Sequence, residues 1–297
     1  MKNEYEELLT QYVSQINHAL EEYLPQDTGG YDLVRQAMRY SVGAGGKRIR
    51  PVLVLHFAKL CGALPEKALP FACAVEFIHT YSLIHDDLPC MDDDALRRGK
   101  PSCHVKFGEA AALLAGDALL TLAFELLGKA PSLTGVSERA SAKAVLSLAS
   151  YSGISGMVGG QVMDLSNEEK PVDCETFLLT CQKKTSALLS AACQLGVLAA
   201  EGPDELENAA REYGCYLGIA FQIVDDILDV TGEEKKLGKP IGSDADNQKV
   251  TAVSLCGLKG AEDMAAEYTQ KALQSAAVLP DQGFLSGLTE QLLNRKF

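Results

Sequence analysis

The feature that most constrains this chain is a run of acids placed where a helix has to stop. Asp86, Asp87, Asp92, Asp93 and Asp94 fall within nine positions, and the approach from Phe71 to Ile84 is an apolar run with few charges. Leu88-Pro89 ends or kinks that helix, because proline has no N–H and restricts the residue before it. Asp86 and Asp87 then stand at a helix C-terminus, whose partial charge is already negative, so the arrangement needs a cation. Mg²⁺ is the natural candidate, since it shares its shell between one or two carboxylates and substrate phosphates. The alternative is an acidic surface turn, but a solvated turn gains nothing from so apolar an approach helix.

A second acidic group lies far downstream. Phe221 to Val230 reads F-Q-I-V-D-D-I-L-D-V. Asp225 and Asp229 are four apart and share a helix face, with Asp226 beside them. Unpaired charges among apolar residues are costly, so these acids are expected on a cavity wall, opposite the first group. Two acidic stations on separate helices imply one cation cluster gripped from both sides.

Basic residues supply the complementary half. S-V-G-A-G-G-K-R-I-R-P places Lys47, Arg48 and Arg50 after Gly43, Gly45 and Gly46, with Pro51 positioned to open a helix. A helix N-terminus beside such cations is an anion site. It is not a Walker A loop, since Ser41 holds the first glycine position and Arg48 follows the lysine. A basic surface turn is the competing reading. Arg97 and Arg98 follow the first aspartates, and Lys183-Lys184 precede the apolar Ala187 to Leu189.

Helical periodicity accounts for most of the rest. Tyr5 to Tyr23, Leu33 to Val42, Ala110 to Leu127, Val136 to Tyr151, Thr176 to Ala200, Pro203 to Val230, Ala261 to Leu279 and Leu285 to Leu293 read as helices. Pro51 to Phe57 could be a buried strand, but its continuation through Leu60 favours helix. Gly153, Gly156, Gly159 and Gly160 allow close helix approach or leave room for a ligand; Gly214 and Gly218 lie one turn apart. The polar stretch from Thr231 to Lys249 is expected to be a mobile loop. No repeat or linker divides the chain, so we expect one all-α domain spanning residues 1–297, a bundle of about ten or more helices around a central cavity.

The net charge of −13 argues against nucleic-acid binding. No stretch approaches the roughly 18 uncharged residues of a membrane span, and the acidic N-terminus lacks a signal-peptide profile. Nine cysteines without C-x-x-C spacing suit reduced thiols in a cytoplasmic protein. No G-x-S-x-G is present, nor an evident Ser/Cys–His–Asp grouping, and His79, His85 and His104 lack metal-ligand spacing. Paired acids with separate cations suit departure of a diphosphate, leaving a carbocation that needs a dry, apolar pocket.

The motifs G-G-K-R-I-R-P, Y-S-L-I-H-D-D-L-P-C-M-D-D-D-A-L-R-R-G-K-P, G-D-A-L, G-G-Q-x-x-D-L, K-T, F-Q-I-V-D-D-I-L-D and G-K-P-I-G-S-D together resemble the trans-isoprenyl diphosphate synthases, most closely their bacterial farnesyl-forming branch. The resemblance covers nearly the whole chain and implies the isoprenoid synthase fold and an Mg²⁺-dependent prenyltransferase. It would condense isopentenyl diphosphate with dimethylallyl or geranyl diphosphate by ionisation, condensation and elimination. It implies that Asp86, Asp87 and Asp92, with Asp225, Asp226 and Asp229, hold three Mg²⁺ ions. Arg97, Lys184, Thr185, Gln222 and Lys239 match positions contacting the allylic diphosphate; Lys47, Arg50, His79 and Arg98 match the isopentenyl diphosphate pocket. Asp86, Asp87, Asp92, Arg97, Lys184 and Asp225 form the implied catalytic set. Lys249 and Arg295-Lys296 are weaker matches, engaging on closure, while Asp93 and Asp94 are left between structural and solvated roles. In the family the released pyrophosphate takes the final proton, and the enzymes are homodimers; Ala110 to Leu127 could bury a face against a partner.

Bulky Tyr81 and small Ser82, about one turn before Asp86, match the farnesyl type and predict a fifteen-carbon product. Rival readings are a synthase of ten- or twenty-carbon products, a terpene cyclase, and a regulatory subunit. A cyclase normally carries an N-D-x-x-S-x-x-x-E type second motif and needs no isopentenyl pocket. Regulatory subunits usually lose motif aspartates or arginines, and none are lost here.

Overall fold

The computed structural model describes residues 2–26, 29–167, 171–231, 249–280 and 283–293. The described chain is almost entirely helical: α1 (Lys2–Tyr23), α2 (Asp32–Val42), α3 (Ile49–Leu60), α4 (Pro65–Asp86), α5 (Cys103–Phe107), α6 (Glu109–Thr134), α7 (Glu138–Ser152), α8 (Met157–Asn167), α9 (Cys174–Cys181), α10 (Ala187–Ala199), α11 (Asp204–Thr231), α12 (Ala252–Ala276) and α13 (Gly283–Leu293). The segment Pro51 to Phe57 is helical within α3, and Asp86 is the last residue of α4, as the following Leu88-Pro89 requires.

The sequence A-L-L-S-A-A-C-Q-L-G-V-L-A of α10 carries no charge, and only Gln194 is not fully buried. An all-apolar helix belongs inside, and α10 packs against α3, α4, α7 and α11. Helix α4 in turn lies between α3 and α6. Phe57 of α3 and Phe71 and Phe77 of α4 are fully buried, each worth about 2–3 kcal/mol of transfer free energy. A smaller cluster of Phe177, Ile219, Ile223, Val224, Leu228 and Ala252 lies beneath the second acidic group.

Several boundaries differ from expectation. The stretch Thr176 to Ala200 is not one α-helix: a π-helical turn, Gln182–Ser186, joins α9 to α10. The last long helix begins nine residues early, at Ala252, because Thr251 and Ser254 form a reciprocal capping box. It is broken at Gly257 (φ 71°, ψ 168°), where helical geometry lapses. Leu96–Arg97 and Lys100–Pro101 pair as a two-stranded antiparallel hairpin, β1 and β2, unexpected in an all-α reading. Its turn residues Arg98 (φ 54°) and Gly99 (φ 73°) are both left-handed, the backbone that tight hairpins favour. By length and composition α6 is apolar enough to cross a membrane, although it carries Asp117 and Glu125 and packs along α2, α4 and α7. Residues 232–248, most of the expected mobile loop, lie outside the described residues. All nine cysteines are free thiols.

Candidate active site

The end of α4 folds back on itself. Asp92 N–H donates to the Asp86 carbonyl at 2.9 Å, while Met91 and Asp93 N–H both reach Leu88 O. That loop closure, rather than helical spacing, brings Asp92 back beside Asp86. The three acids of the first motif then take separate environments. Asp87 is 2% exposed and pairs with Arg97, whose Nε donates to both carboxylate oxygens at 2.9 and 3.2 Å. Asp94 completes the clamp, accepting from Arg97 Nη2 at 3.2 Å. Asp93 is exposed at the left-handed turn (φ 51°). Burial tends to lower the Arg97 pKa, but its bonds to Asp87 and the charges of Asp87 and Asp94 raise it overall.

Asp86 is the strained acid. Burial drives its pKa from 3.8 up to about 6; Lys184 and Arg97 pull it back, while Asp92 and Asp87 add to the rise. A carboxylate held in that state gains from any cation that enters. Lys184, from the π turn, pairs with Asp164 of α8 and also feels Asp86 and Asp92; despite burial its pKa is raised. Asp164 belongs to G-G-Q-x-x-D-L, whose acid the sequence reading left without a role. The pairing requires α8 to approach the π turn closely: a Cβ on Gly160 would lie 2.2 Å from the Lys184 nitrogen. Single π turns concentrate at functional sites, and this one carries Lys183, Lys184 and Thr185.

From the π turn a polar chain runs into the second acidic group. Thr185 Oγ1 donates to Gln222 Oε1 (2.9 Å), Gln222 Nε2 donates to Asp226 Oδ1 (3.0 Å), and Ala252 N–H donates to Asp226 Oδ2 (2.9 Å). Asp226 is therefore buried and committed to the start of α12, whereas Asp225 and Asp229 remain partly exposed. A cavity of about 90 Å³ is lined by Asp164, Lys184, Thr185, Gln222, Asp226 and Lys249. Lys249, which lines this cavity together with Asp226, also lies 3.9 Å from Asp92, so one lysine links the hollow to the first acidic group. Among the described residues no three His, Cys, Asp or Glu side chains gather into a ready-made metal cage.

The second basic group surrounds His79. Arg50 Nη1 stands 3.5 Å from His79 Nε2, and the buried Arg50 Nε has no hydrogen-bond partner. Burial, followed by Arg50, Arg98, Arg48 and Arg97, keeps the His79 imidazole neutral far below its ordinary range. A neutral ring among guanidiniums and an unmet buried donor fit an incoming anion. Arg98 lies against Gly46, where a Cβ would sit 2.5 Å from Nη1 and where φ is 124°. Lys47 is exposed and borders a cleft of about 350 Å³ with Gly46, Ile49 and Leu292. Arg48 belongs elsewhere: it is 5% exposed and points into the protein. Tyr81 is 6% exposed, with its hydroxyl pKa pushed up to about 12 by burial and Asp86, and its ring packs on His85. Ser82 hydrogen-bonds back to His79 O at 2.9 Å. Lys239, Arg295 and Lys296 lie outside the described residues.

Two acidic stations and two cationic ones carried on helices suit an enzyme that handles diphosphates. The polyprenyl synthetase family model matches residues 31–280. The chain is 45% identical over 257 residues to the farnesyl diphosphate synthase of Bacillus subtilis (strain 168), covering 86% of each. It is 42% identical over 269 residues to the geranylgeranyl diphosphate synthase of Cyanophora paradoxa, covering 90% of this chain and 89% of that one. Its structure is similar to the Helicobacter pylori geranyltransferase complexed with magnesium and isoprenyl diphosphate, with a TM-score of 0.81, 32% identity, and coverage of 96% and 95%. This chain belongs to the polyprenyl synthetase family, as its motifs implied, and its activity is that of a prenyltransferase.

Proposed function

We propose that the protein is an Mg²⁺-dependent farnesyl diphosphate synthase, adding isopentenyl diphosphate to dimethylallyl and then geranyl diphosphate. The observation that carries this reading is the hollow lined by Lys184, Thr185, Gln222, Asp226 and Lys249, with Asp92 beside Lys249 and Arg97 held by Asp87, while the Arg50–His79–Arg98 group supplies a second anion station. Asp86, Asp87, Asp92, Asp225, Asp226 and Asp229 are the acids that would hold Mg²⁺, three ions by family resemblance. Asp86, Asp92, Asp225 and Asp229 are the better exposed, while Asp87 and Asp226 act more through Arg97 and α12. Bound Mg²⁺ would supply charge neutralisation to the diphosphate as it leaves.

Arg97, Lys184, Thr185 and Gln222, with Lys239, bind the allylic diphosphate. Lys47, Arg50, His79 and Arg98 bind isopentenyl diphosphate through its charged end. The allylic C–O bond breaks, a C–C bond forms to the terminal carbon of isopentenyl diphosphate, and the proton then lost passes to the released pyrophosphate. Tyr81, with Ser82 beside it, closes the space below Asp86, excludes water and stops growth at fifteen carbons. Lys249, already near Asp92, and Arg295-Lys296 complete the closed site. The whole chain acts as one domain in the cytoplasm. It pairs as a homodimer through α6, where Leu113 and Leu114 are 47% and 53% exposed, which light scattering on the purified protein tests.

The decisive assay incubates the protein with Mg²⁺, isopentenyl diphosphate and either allylic substrate, then separates the dephosphorylated alcohols. A fifteen-carbon alcohol is expected. A twenty-carbon product would assign the activity carried by the Cyanophora relative, and a cyclic hydrocarbon or no condensation would defeat the reading.

A further inference from the structure

Arg48 sits between two residues of the isopentenyl diphosphate station yet points away from it. Its Nη1 donates to Glu76 Oε1 at 2.5 Å, its Nε to Asn17 Oδ1 at 3.0 Å, and its Nη2 to the Val42 carbonyl at 2.6 Å. The side chains of Arg48 and Glu76 are only 4% and 3% exposed. The Arg48 backbone is left-handed (φ 52°, ψ 33°) at the start of α3, a conformation that costs an ordinary residue free energy and persists only when its surroundings impose it. One guanidinium thus ties α1, the end of α2 and the middle of α4 to the glycine turn.

The consequence lies on either side of that anchor. Lys47 precedes it, Arg50 follows two residues later, and Arg98 rests on Gly46. Glu76 also faces the pocket's own cations: burial lowers the Arg50 and Arg98 pKa values, and Glu76 is the largest opposing influence on each. Replacing a buried ion pair with apolar residues is often neutral for stability, so stability alone is a weak reason for this pair.

We propose that Glu76, acting through Arg48 and Asn17, is the positioning device of the isopentenyl diphosphate pocket: it fixes the left-handed turn that aims Lys47 and Arg50 and seats Arg98. The assignment rests on the reading that these cations receive isopentenyl diphosphate. Glu76, Arg48 and Asn17 touch no substrate themselves. A loosened turn scatters the pocket's cations while leaving Arg97, Lys184 and the aspartates in place.

The test compares Asn17→Ala, Asn17→Asp and Glu76→Gln in steady-state kinetics with Mg²⁺, isopentenyl diphosphate and geranyl diphosphate. Losing the Asn17 bond to a charged group, or the Glu76 charge opposite Arg48, is expected to raise KM for isopentenyl diphosphate about tenfold in Asn17→Ala and Glu76→Gln. KM for geranyl diphosphate should stay within about twofold and kcat within about threefold. Asn17→Asp keeps the acceptor and should restore the wild-type KM. Asn17 is exposed, so Asn17→Ala decides the matter even if Glu76→Gln does not fold. An unchanged isopentenyl KM in folded Asn17→Ala, or both KM values rising together, overturns the proposal. A wild-type protein that does not join the two substrates overturns the active-site reading on which it rests, a separate and recognisable failure.

Discussion

Asp86→Asn replaces a carboxylate with a neutral group of the same shape at the tip of α4. Burial, with the Asp92 and Asp87 charges outweighing part of the pull from Lys184 and Arg97, places the Asp86 pKa near 6 against 3.8 in an open chain. The folded protein therefore keeps a proton that the unfolded chain has released, and between these values stability falls as pH rises. At about 1.4 kcal/mol per pH unit, the ionised carboxylate costs the metal-free fold about 3 kcal/mol near pH ~8 and about 1 kcal/mol near pH ~4.5. Urea unfolding in a chelator should show Asp86→Asn more stable than wild type by those amounts, with most of the gain at the higher pH. Adding Mg²⁺ and pyrophosphate brings the two proteins level near pH ~8. The wild type gains about 2.7 kcal/mol at a ligand concentration about 100-fold above Kd, and the variant gains almost nothing. A variant no steadier than wild type near pH ~8, or one stabilised equally by Mg²⁺ and pyrophosphate, would refute the idea that this acid is strained until a cation arrives.

Other consequences are open to direct measurement. Tyr81→Ala should lengthen the product beyond fifteen carbons and lower stability by about 3 kcal/mol, as expected for emptying a buried aromatic site; an unchanged product spectrum removes Tyr81 from length control. Asp225→Ala should cut kcat about 10²-fold or more while isopentenyl diphosphate binding changes less than about threefold, and equal losses would mean that the two stations do not divide the work. The neutral His79 should become more basic when a diphosphate joins its guanidinium neighbours: its NMR-detected pKa rises on adding isopentenyl diphosphate, and a fixed or falling value contradicts that placement. Gly160→Ala would press a methyl group into the Lys184 backbone and should cost about 2–3 kcal/mol, together with a raised KM for the allylic substrate; a neutral substitution would show that the π turn can move freely.

Most of the long helices are legible in the chain alone, because a 3.6-residue apolar period is a local property that side chains a turn apart express together. It also placed both acidic groups, since Leu88-Pro89 stops α4 beside Asp86 and an i, i+4 spacing aligns Asp225 with Asp229. What it left open was partnership. Nothing near Arg97 in the chain says that Asp87 and Asp94 share it while Asp86 stays without so close a cation, and nothing near Lys184 points to Asp164, twenty residues away. The π turn escaped notice because its register depends on α8 pressing Gly160 against it, a contact between helices. The β1–β2 hairpin is too short for a periodic signal and depends on left-handed turn residues. Arg48 reads as one more pocket cation until Glu76, twenty-eight residues on, is seen to hold it. Only tertiary structure decides such cases, because which charge lies beside which depends on how separate helices cross, and burial then sets what each pairing is worth.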